Sequence, residues 1–292
     1  MAVVGRPSAG KSTLINLFCG EKVSIVSAVP QTTRNAIRGI VNRERGQLVF
    51  VDTPGRYKSE KKGNRKLLDI SDQAVDDSDT ILYVLDATRP PGPEEADIAC
   101  LLAPHAERTV AAINKTDDPN ADTARARDFL AESLPALGLD RCFEVSAKNG
   151  DGTDSLLAAL FDIVGEGEPF YGEEFYTDQE VDFRIAEIIR EQAINRLQQE
   201  LPHALHVEVA DAQFAAGDPG ATSGRPKLWV RAFVVVERES QKGIVVGKGG
   251  TMIKEIRLAA LKELGRIFDW KIDLDLRVKA GGKGRRHNGA TP

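Results

Sequence analysis

A glycine-rich octapeptide near the start of the chain has the residue types of a phosphate-binding loop. It fits the spacing G-x-x-x-x-G-K-[ST] and consists of Gly5, Arg6, Pro7, Ser8, Ala9, Gly10, Lys11 and Ser12, followed by Thr13. In such a loop the backbone N–H groups and the next helix N-terminus face the phosphates, because glycines leave room for close approach. Lys11 would neutralise the β- and γ-phosphate oxygens, and the Ser12 hydroxyl would ligate Mg²⁺. The spacing therefore predicts a nucleoside triphosphate site.

A second loop, Asp52-Thr53-Pro54-Gly55, follows an apolar run of residues. Asp52 ends that run and is expected to be a carboxylate on the Mg²⁺ side of the site. Gly55 can offer its N–H to the γ-phosphate without a Cβ in the way. By itself the tetrapeptide is also compatible with a plain turn. Together with the first loop, it makes Lys11 and Gly55 candidate catalytic residues; Thr33, between the two loops, is the third.

Residues 27–40 lie between these two loops and are expected to be a switch that the γ-phosphate orders. Thr32 and Thr33 each carry a hydroxyl that would complete the Mg²⁺ shell, alongside Ser12 and Asp52; a turn threonine without that role is the alternative for either. A second switch is expected over residues 56–65, although by itself this basic run is more typical of a solvated, mobile surface than of a site.

Two later motifs predict which base the site accepts. Asn114-Lys115-Thr116-Asp117 follows an apolar run and fits N-K-x-D. Asp117 can accept hydrogen bonds from the ring N–H and the exocyclic amine of guanine, while the Lys115 stem lies along the purine face. Adenine lacks that donor pair. In the later tripeptide Ser146, Ala147 and Lys148, a backbone N–H could meet the guanine carbonyl oxygen. The four motifs in this order predict a site for GTP and GDP.

The residue after Gly55 bears on how fast GTP is hydrolysed. Phosphoryl transfer to water needs a group that orients the water. The position holds Arg56, which cannot accept a hydrogen bond from water. We therefore expect slow intrinsic turnover, with RNA or a ribosomal partner supplying the missing organisation.

A different glycine motif in the second half of the chain points to nucleic acid. The spacing G-x-x-G lies between an apolar run and an amphipathic pattern, and the candidate RNA-contacting residues are Gly247, Lys248, Gly249, Gly250 and Lys254. In a KH domain such a loop clamps a single-stranded backbone. A helix-capping turn is the alternative. Residues 240–292 hold twelve Lys and Arg against five Asp and Glu, a charge balance that suits phosphate binding.

The elements that position these motifs fall into two groups. Short apolar runs alternate with amphipathic segments up to about residue 161, which predicts a doubly wound α/β sheet with ligands at the carboxyl ends of its strands. The predicted strands are residues 2–4, 37–41, 48–52, 80–86, 109–114 and 142–146. The fold class is thus an α/β P-loop GTPase domain followed by an α+β KH domain of type II. The expected division is residues 1–167, a linker at 168–179, and residues 180–292 with a basic tail.

The second domain is predicted from a long helix at residues 179–200, strands at 205–209 and 228–236, a helix at 251–267 and a strand at 271–278. Residues 215–226 are rich in Gly, Pro, Ser and Thr and are expected to be an exposed loop. Aromatic residues are few. Base stacking would fall to Phe233 or Trp270, although Phe233 within a strand is expected to be a core residue.

Composition narrows the setting of the protein. The 292 residues include 39 Lys and Arg, 44 Asp and Glu, and three cysteines. Cys19, Cys100 and Cys142 match no metal-ligand spacing and cannot all pair, which favours a reducing, cytoplasmic location. No run approaches the roughly 18 apolar residues of a membrane helix. The chain also enters a short strand directly after Met1, which argues against a signal peptide.

The motifs together resemble the Era family of ribosome-assembly GTPases over nearly the whole chain. The matching runs are Gly5-Arg6-Pro7, Gln31-Thr32-Thr33-Arg34, Asp52-Thr53-Pro54-Gly55, Ala186-Glu187-Ile188-Ile189-Arg190-Glu191 and Gly247-Lys248-Gly249-Gly250. The resemblance favours Thr33 as the Mg²⁺ ligand, because family members place that ligand just before the arginine. It implies binding to small-subunit ribosomal RNA near its 3′ end and a role in 30S maturation, with GTP controlling RNA affinity. We also expect the protein to be a monomer.

The chain also departs from the family pattern. Ser8 stands where many members have an asparagine linked to potassium-dependent hydrolysis, so potassium activation is left open. Arg56 replaces an apolar residue, residues 215–226 form an insertion, and the tail lacks the usual aromatic residue. The family has also been linked to peripheral membrane association. The alternative function is therefore a GTP-dependent signalling switch at the inner membrane surface or the cell-division machinery, with the basic domain binding anionic lipid.

Overall fold

The computed structural model describes residues 1–27, 29–30, 32–57, 62–197, 201–215 and 225–281. The chain separates into two compact units, Met1–Gln179 and Glu180–Pro292. Each unit has its own sheet and its own apolar core. No helix within the described ranges is long and apolar enough to cross a membrane.

The first unit is built on a six-stranded sheet. Its strands are β1 (Ala2–Val4), β2 (Ile37–Arg43), β3 (Gly46–Asp52), β4 (Ile81–Asp86), β5 (Thr109–Asn114) and β6 (Cys142–Val145). Their order in the sheet is β2-β3-β1-β4-β5-β6, and every pairing is parallel except the β2–β3 hairpin. All six residues of β4 are buried, as expected for a strand covered on both faces.

Helices cover both faces of this sheet. They are α1 (Lys11–Cys19), α2 (Lys62–Asp76), α3 (Pro93–Leu102), α4 (Thr123–Ser133) and α5 (Thr153–Ile163). Alternate strand residues face opposite sides, so Val3 and Val84 pack with α1 and α5, whereas Val4 and Tyr83 pack with α2, α3 and α4. The predicted doubly wound α/β architecture is confirmed.

The second unit is a three-stranded sheet packed against helices. Its elements are α6 (Val181–Ile194), α7 (Leu201–Ala204), β7 (Leu205–Phe214), β8 (Lys227–Val236), α8 (Glu239–Val246), α9 (Thr251–Ile267) and β9 (Lys271–Ala280). The strand order is β7-β8-β9, with β7 antiparallel and β9 parallel to β8. Alternate residues of β8, such as Val230 and Val234, join a core with Ile189 of α6 and Ala260 of α9. This is the predicted α+β KH architecture.

Several predicted bounds in this unit are wrong. Helix α6 ends at Ile194, six residues before the predicted end, although the predicted apolar face is buried as far as Leu197. The pattern outlasts the helix because Leu197 still packs into the core after the chain has turned. Strand β7 runs five residues further than predicted, past a register shift between Val209 and Asp211 that interrupts its alternation. Of the predicted loop 215–226, residues 216–224 lie outside the described residues.

The aromatic residues proposed for stacking have partners of their own. Phe233 is half-buried on the sheet face opposite the core cluster, with the Lys279 ammonium 4.7 Å from its ring centre. The expectation that Phe233 is a core residue is therefore wrong, because β8 presents its odd-numbered residues to the other face. Trp270 stacks on Phe268 at 4.9 Å between ring centres.

The segment predicted as a linker is fastened to the first unit. Tyr176 O accepts a hydrogen bond from Ile40 N–H at 2.9 Å, and the Thr177 hydroxyl donates to Arg38 O at 2.8 Å. The Gln179 side-chain amide donates to Val23 O at 3.0 Å. Thr177 thus forms a single antiparallel bridge with Gly39 of β2, and this segment is not a free spacer.

Candidate functional site

The lysine of the first loop donates hydrogen bonds back to the start of the same loop. Lys11 Nζ donates to the carbonyl oxygens of Gly5 and Arg6, both at 3.0 Å, and it is buried. Burial lowers the pKa of Lys11 to about 8, against the opposing effect of Asp52. Gly10, with φ of 99°, is the N-cap residue just before α1, and a Cβ there would collide with the Asn114 side chain. A buried ammonium bonded to carbonyl oxygens, at a helix N-terminus, suits a phosphate.

Three predicted metal ligands converge beside this loop. Ser12 Oγ donates to Asp52 Oδ2 at 2.7 Å, and Thr33 Oγ1 lies 3.4 Å from the same oxygen and 3.2 Å from Ser12 Oγ. The other carboxylate oxygen, Asp52 Oδ1, is buried and has no hydrogen-bond partner in the described part of the chain. Burial raises the pKa of Asp52, and Lys11 opposes that effect. These oxygen donors fit a hard cation such as Mg²⁺.

The structure distinguishes the two candidate threonines. Thr33 is buried beside Ser12 and Asp52. The Thr32 hydroxyl instead donates to Val29 O at 2.7 Å. Thr33 is therefore the threonine that lies with the other two candidate ligands.

The second loop lies directly against the first. The Thr53 hydroxyl donates to Val3 O at 2.7 Å, which joins the loop to β1. A Cβ added to Gly55 would lie 2.5 Å from Pro7 N and 2.6 Å from Pro7 Cα, so only glycine fits this approach. Arg56 N–H donates to Gly5 O at 3.2 Å, which closes the junction between the two loops.

The Arg56 side chain is occupied by two carboxylates. Its guanidinium pairs with Asp72 of α2 and lies 3.1 Å from Asp97 of α3, and the residue is buried. It therefore joins the second loop to two helices. Of the predicted second switch, residues 58–61 lie outside the described part of the chain.

Asn114 connects three loops through one side-chain amide. Its Nδ2 donates to Ala9 O at 2.8 Å, and its Oδ1 accepts from Ala147 N–H at 2.9 Å. The residue is buried. Both ends of the amide are thereby used within the protein, joining the first loop to the loop after β6.

Asp117 is held by neighbours from that same loop. The Ser146 hydroxyl donates to Asp117 Oδ1 at 2.7 Å, and the exposed Lys148 ammonium lies 3.4 Å from Oδ2. The hydrogen bond from Ser146 is the largest cause that lowers the pKa of Asp117, with desolvation opposing it. An ionised carboxylate has acceptors only, which suits the two adjacent donors of guanine.

A cluster of ion pairs between the motifs, centred on Asp86, was not predicted from the sequence. Asp86 Oδ2 lies 2.7 Å from Lys115 Nζ and 3.1 Å from Arg6 Nη2, and Arg6 Nη1 lies 3.0 Å from Glu95 Oε1. Asp86 ends β4 in the same way that Asp52 ends β3 and Asn114 ends β5. A polar residue at the carboxyl end of a buried parallel strand is the signal that could have identified it.

Residues from the first loop, the candidate switch, the second loop and the N-K-x-D motif line one pocket at the carboxyl edge of the sheet. Its lining includes Gly10, Lys11, Thr33, Gly55 and Lys115. Asp117 lies two residues after Lys115 and is bonded to Ser146 of the loop after β6. The structure thus brings the four motifs of the first unit together.

The glycine loop of the second unit has a constrained geometry. Gly247 has φ of 75°, and a Cβ there would lie 2.7 Å from Met252 Cβ. Gly250, with φ of 78°, is the N-cap residue just before α9. Lys248 and Lys254 are exposed beside the loop, and Ile244 and Leu258 are exposed apolar residues on α8 and α9. A glycine turn that carries exposed lysine side chains and lies next to exposed apolar side chains suits single-stranded nucleic acid.

Comparison with known proteins gives matches over almost the whole chain. Residues 1–115 match the family described as a 50S ribosome-binding GTPase, and residues 200–282 match the KH domain. The GTPase Era of Treponema denticola is 48% identical over 279 residues, which cover 96% of this chain and 92% of that protein. The chain belongs to the Era family of GTPases. The GTPase Era of Borreliella burgdorferi is 39% identical over 278 residues, covering 95% of this chain and 92% of that protein.

Solved structures of Era share the fold of both units. Era in complex with MgGDPNP and nucleotides 1506–1542 of 16S ribosomal RNA matches with a TM-score of 0.87 and 31% identity, covering 97% of this chain and 93% of that chain. A variant of Aquifex aeolicus Era bound to GDP·AlF4⁻ gives the same TM-score, identity and coverage. The Era family predicted from the motifs is confirmed, and with it the prediction that the chain is a GTPase.

Proposed function

We propose that the chain is a GTP-hydrolysing switch that binds small-subunit ribosomal RNA near its 3′ end and assists 30S maturation. The observation that carries this proposal is the match over 97% of the chain to Era bound to MgGDPNP and 16S ribosomal RNA. The 16S ribosomal RNA bound in that structure favours the small subunit over the 50S subunit in the description of the matching GTPase family.

The first unit would hold the nucleotide through the residues assembled above. Gly5 to Thr13, Lys11 above all, would face the phosphates, and Asp117 would accept from guanine. Ser12, Thr33 and Asp52 would hold Mg²⁺, which when bound neutralises charge on the β- and γ-phosphate oxygens. Gly55 would offer its N–H beside the γ-phosphate. Of the Ser146, Ala147 and Lys148 backbone groups, the Ala147 N–H is already donated to Asn114.

The ion pairs of Arg56 support the expectation that GTP hydrolysis is slow when no partner is bound. Its guanidinium is paired with Asp72 and Asp97, so the chain places a structural cation where hydrolysis needs a hydrogen-bond acceptor. We expect RNA to accelerate turnover. Equal rates with and without RNA would contradict this part of the proposal. Because Ser8 replaces the potassium-linked asparagine, rates in potassium and sodium salts decide whether potassium activates the enzyme.

The second unit would clamp RNA through Gly247 to Gly250 and Lys254. A test uses the full-length protein and a single-stranded RNA with the 3′ sequence of small-subunit ribosomal RNA. The double variant Lys248→Asp and Gly249→Asp should lose binding. It should remain folded, because a Cβ on Gly249 meets nothing within 4 Å and Asp tolerates its φ of 62°.

A matched control is Lys262→Asp, which reverses a charge on α9 about three turns from the loop. This variant should retain most of the RNA affinity. Binding to anionic vesicles, measured in parallel, tests the membrane alternative. Equal vesicle binding by parent and double variant, with no RNA affinity in the parent, would overturn the ribosomal assignment.

The remaining parts of the proposal concern location and regulation. A cytoplasmic monomer that engages the 30S subunit is the simplest arrangement for these two units. Peripheral contact with anionic lipid belongs to the alternative function. Measuring the RNA Kd with GDP and with a non-hydrolysable GTP analogue tests whether the nucleotide controls RNA affinity. Identical values would contradict that control.

A further inference from the structure

The buried carboxylate Asp86 connects the phosphate loop to the base-selecting loop. Its side chain is 2% exposed, and Oδ2 is shared by Lys115 Nζ at 2.7 Å and Arg6 Nη2 at 3.1 Å. Its Oδ1 accepts from the Thr88 N–H at 3.0 Å and the Thr88 hydroxyl at 2.6 Å. The carboxylate is therefore fixed at one oxygen and offers the other to two cations from different motifs.

The backbone brings these groups together. Asp86 and Asn114 are register partners at the carboxyl ends of β4 and β5. Ala87 N–H donates to Asn114 O at 3.0 Å, which fastens the chain after Asp86 to the base-selecting loop. Lys115 has φ of 70°, a left-handed conformation that is uncommon for a lysine. The loop thus turns Lys115 out of the strand direction at the point where its side chain meets Asp86.

We propose that Asp86 is a positioning residue of the guanine site, holding the Lys115 side chain along the purine face and bracing Arg6 of the phosphate loop. This inference rests on the proposed nucleotide site. A lysine side chain has many rotamers, and ordering it on binding costs affinity. The ion pair with Asp86 orders Lys115 in advance, although its side chain is still 34% exposed.

Two further observations separate this role from general support of the fold. Arg6 has a second buried carboxylate, Glu95, which does not share Lys115. In addition, burial acts to raise the pKa of Asp86, but hydrogen bonds from Lys115 and Thr88 outweigh it and lower that pKa, so the group stays ionised toward both cations. Removing Asp86 should therefore affect the nucleotide more than removing Glu95 does.

The test measures the Kd of GDP for full-length parent, Asp86→Asn and Glu95→Gln. We expect Asp86→Asn to raise the Kd about tenfold, the factor that corresponds to losing the pre-ordering of one long side chain. Glu95→Gln should raise it much less, although both variants remove a buried partner of Arg6. For hydrolysis, Asp86→Asn should raise the KM for GTP by a larger factor than it lowers kcat. Equal losses of affinity in both variants would assign Asp86 a merely structural role and overturn the proposal.

A second pair of variants keeps the proposal testable if Asp86→Asn does not fold. Lys115→Met retains the apolar stem and removes the ammonium, so it should lose about the same tenfold in GDP affinity. Lys115→Arg, which keeps a cation for Asp86, should retain most of it. Full affinity in Lys115→Met would show that the stem needs no ion pair and would overturn the inference. If the parent itself does not bind GDP, the proposed function fails instead.

Discussion

The neighbours of Asp117 favour the ionised carboxylate that guanine recognition requires. The Ser146 hydroxyl and the Lys148 ammonium both approach it, and the former is the main cause of its lowered pKa. An ionised carboxylate accepts hydrogen bonds and donates none. It therefore matches the ring N–H and exocyclic amine of guanine and offers nothing to a base that presents a carbonyl oxygen there.

The substitution Asp117→Asn should exchange guanine for xanthine as the preferred base. The amide keeps one acceptor but turns a donor toward the guanine amine, whereas xanthine carries a carbonyl oxygen at that position. We expect GDP affinity to fall about a hundredfold or more, since two charge-assisted hydrogen bonds are affected. Competition between GDP and xanthosine diphosphate measures this change. Asp118→Asn is the matched control, because the Asp118 carboxylate accepts only from Asn120 among its described hydrogen bonds.

At the scale of elements, the carboxyl ends of the parallel strands act as one platform. Strand β1 leads into the phosphate loop, β3 ends at Asp52, β4 at Asp86 and β5 at Asn114. Asn114 bonds to Ala9 O and to Ala147 N–H, so the loops after β1, β5 and β6 share one side chain. The platform is therefore assembled by bonds within the protein.

Asn114→Ala should destabilise the first unit as well as weaken nucleotide binding. The change leaves a buried carbonyl and a buried N–H without their partner, at roughly 1–3 kcal/mol each. We expect the free energy of unfolding in urea, without nucleotide, to fall by about 2–4 kcal/mol. The exposed Asn149→Ala should change it by less than about 0.5 kcal/mol. A nucleotide-free stability equal to the parent would contradict this role.

Sequence reasoning succeeded where the chemistry is local. The spacings around Lys11, Asp52 and Gly247 each predict their loop, because a few consecutive residues define its backbone. It missed the ion pair between Lys115 and Asp86, which are 29 residues apart and meet only when β4 and β5 pair. The carboxylate partners of Arg56 come from two helices and were missed for the same reason.

On the scale of the whole molecule, the candidate nucleotide site and the candidate RNA site lie in different units. The candidate nucleotide residues all lie in Met1–Gln179, and the glycine loop lies in Glu180–Pro292. Tyr176 and Thr177 bond to β2, whose first residues are the last part of the candidate switch. The first unit therefore includes the segment that sequence composition assigns to a linker.

Calorimetry of the full chain should resolve two unfolding transitions. GDP at a hundred times its Kd should stabilise only the unit that binds it, by about 2.7 kcal/mol. For a unit of this size, we expect that transition to rise by roughly 5–10 °C while the other stays in place. Titrating GDP during repeated scans checks the assignment. A single transition, or an equal rise in both, would contradict independent units.

The boundary at Gln179 also sorts the chromophores of the chain. All four tyrosines (Tyr57, Tyr83, Tyr171 and Tyr176) precede it, and both tryptophans (Trp229 and Trp270) follow it. Selective excitation of tryptophan therefore reports on the KH unit alone. Because neither unit holds both residue types, any energy transfer from tyrosine to tryptophan within one chain runs from the first unit to the KH unit.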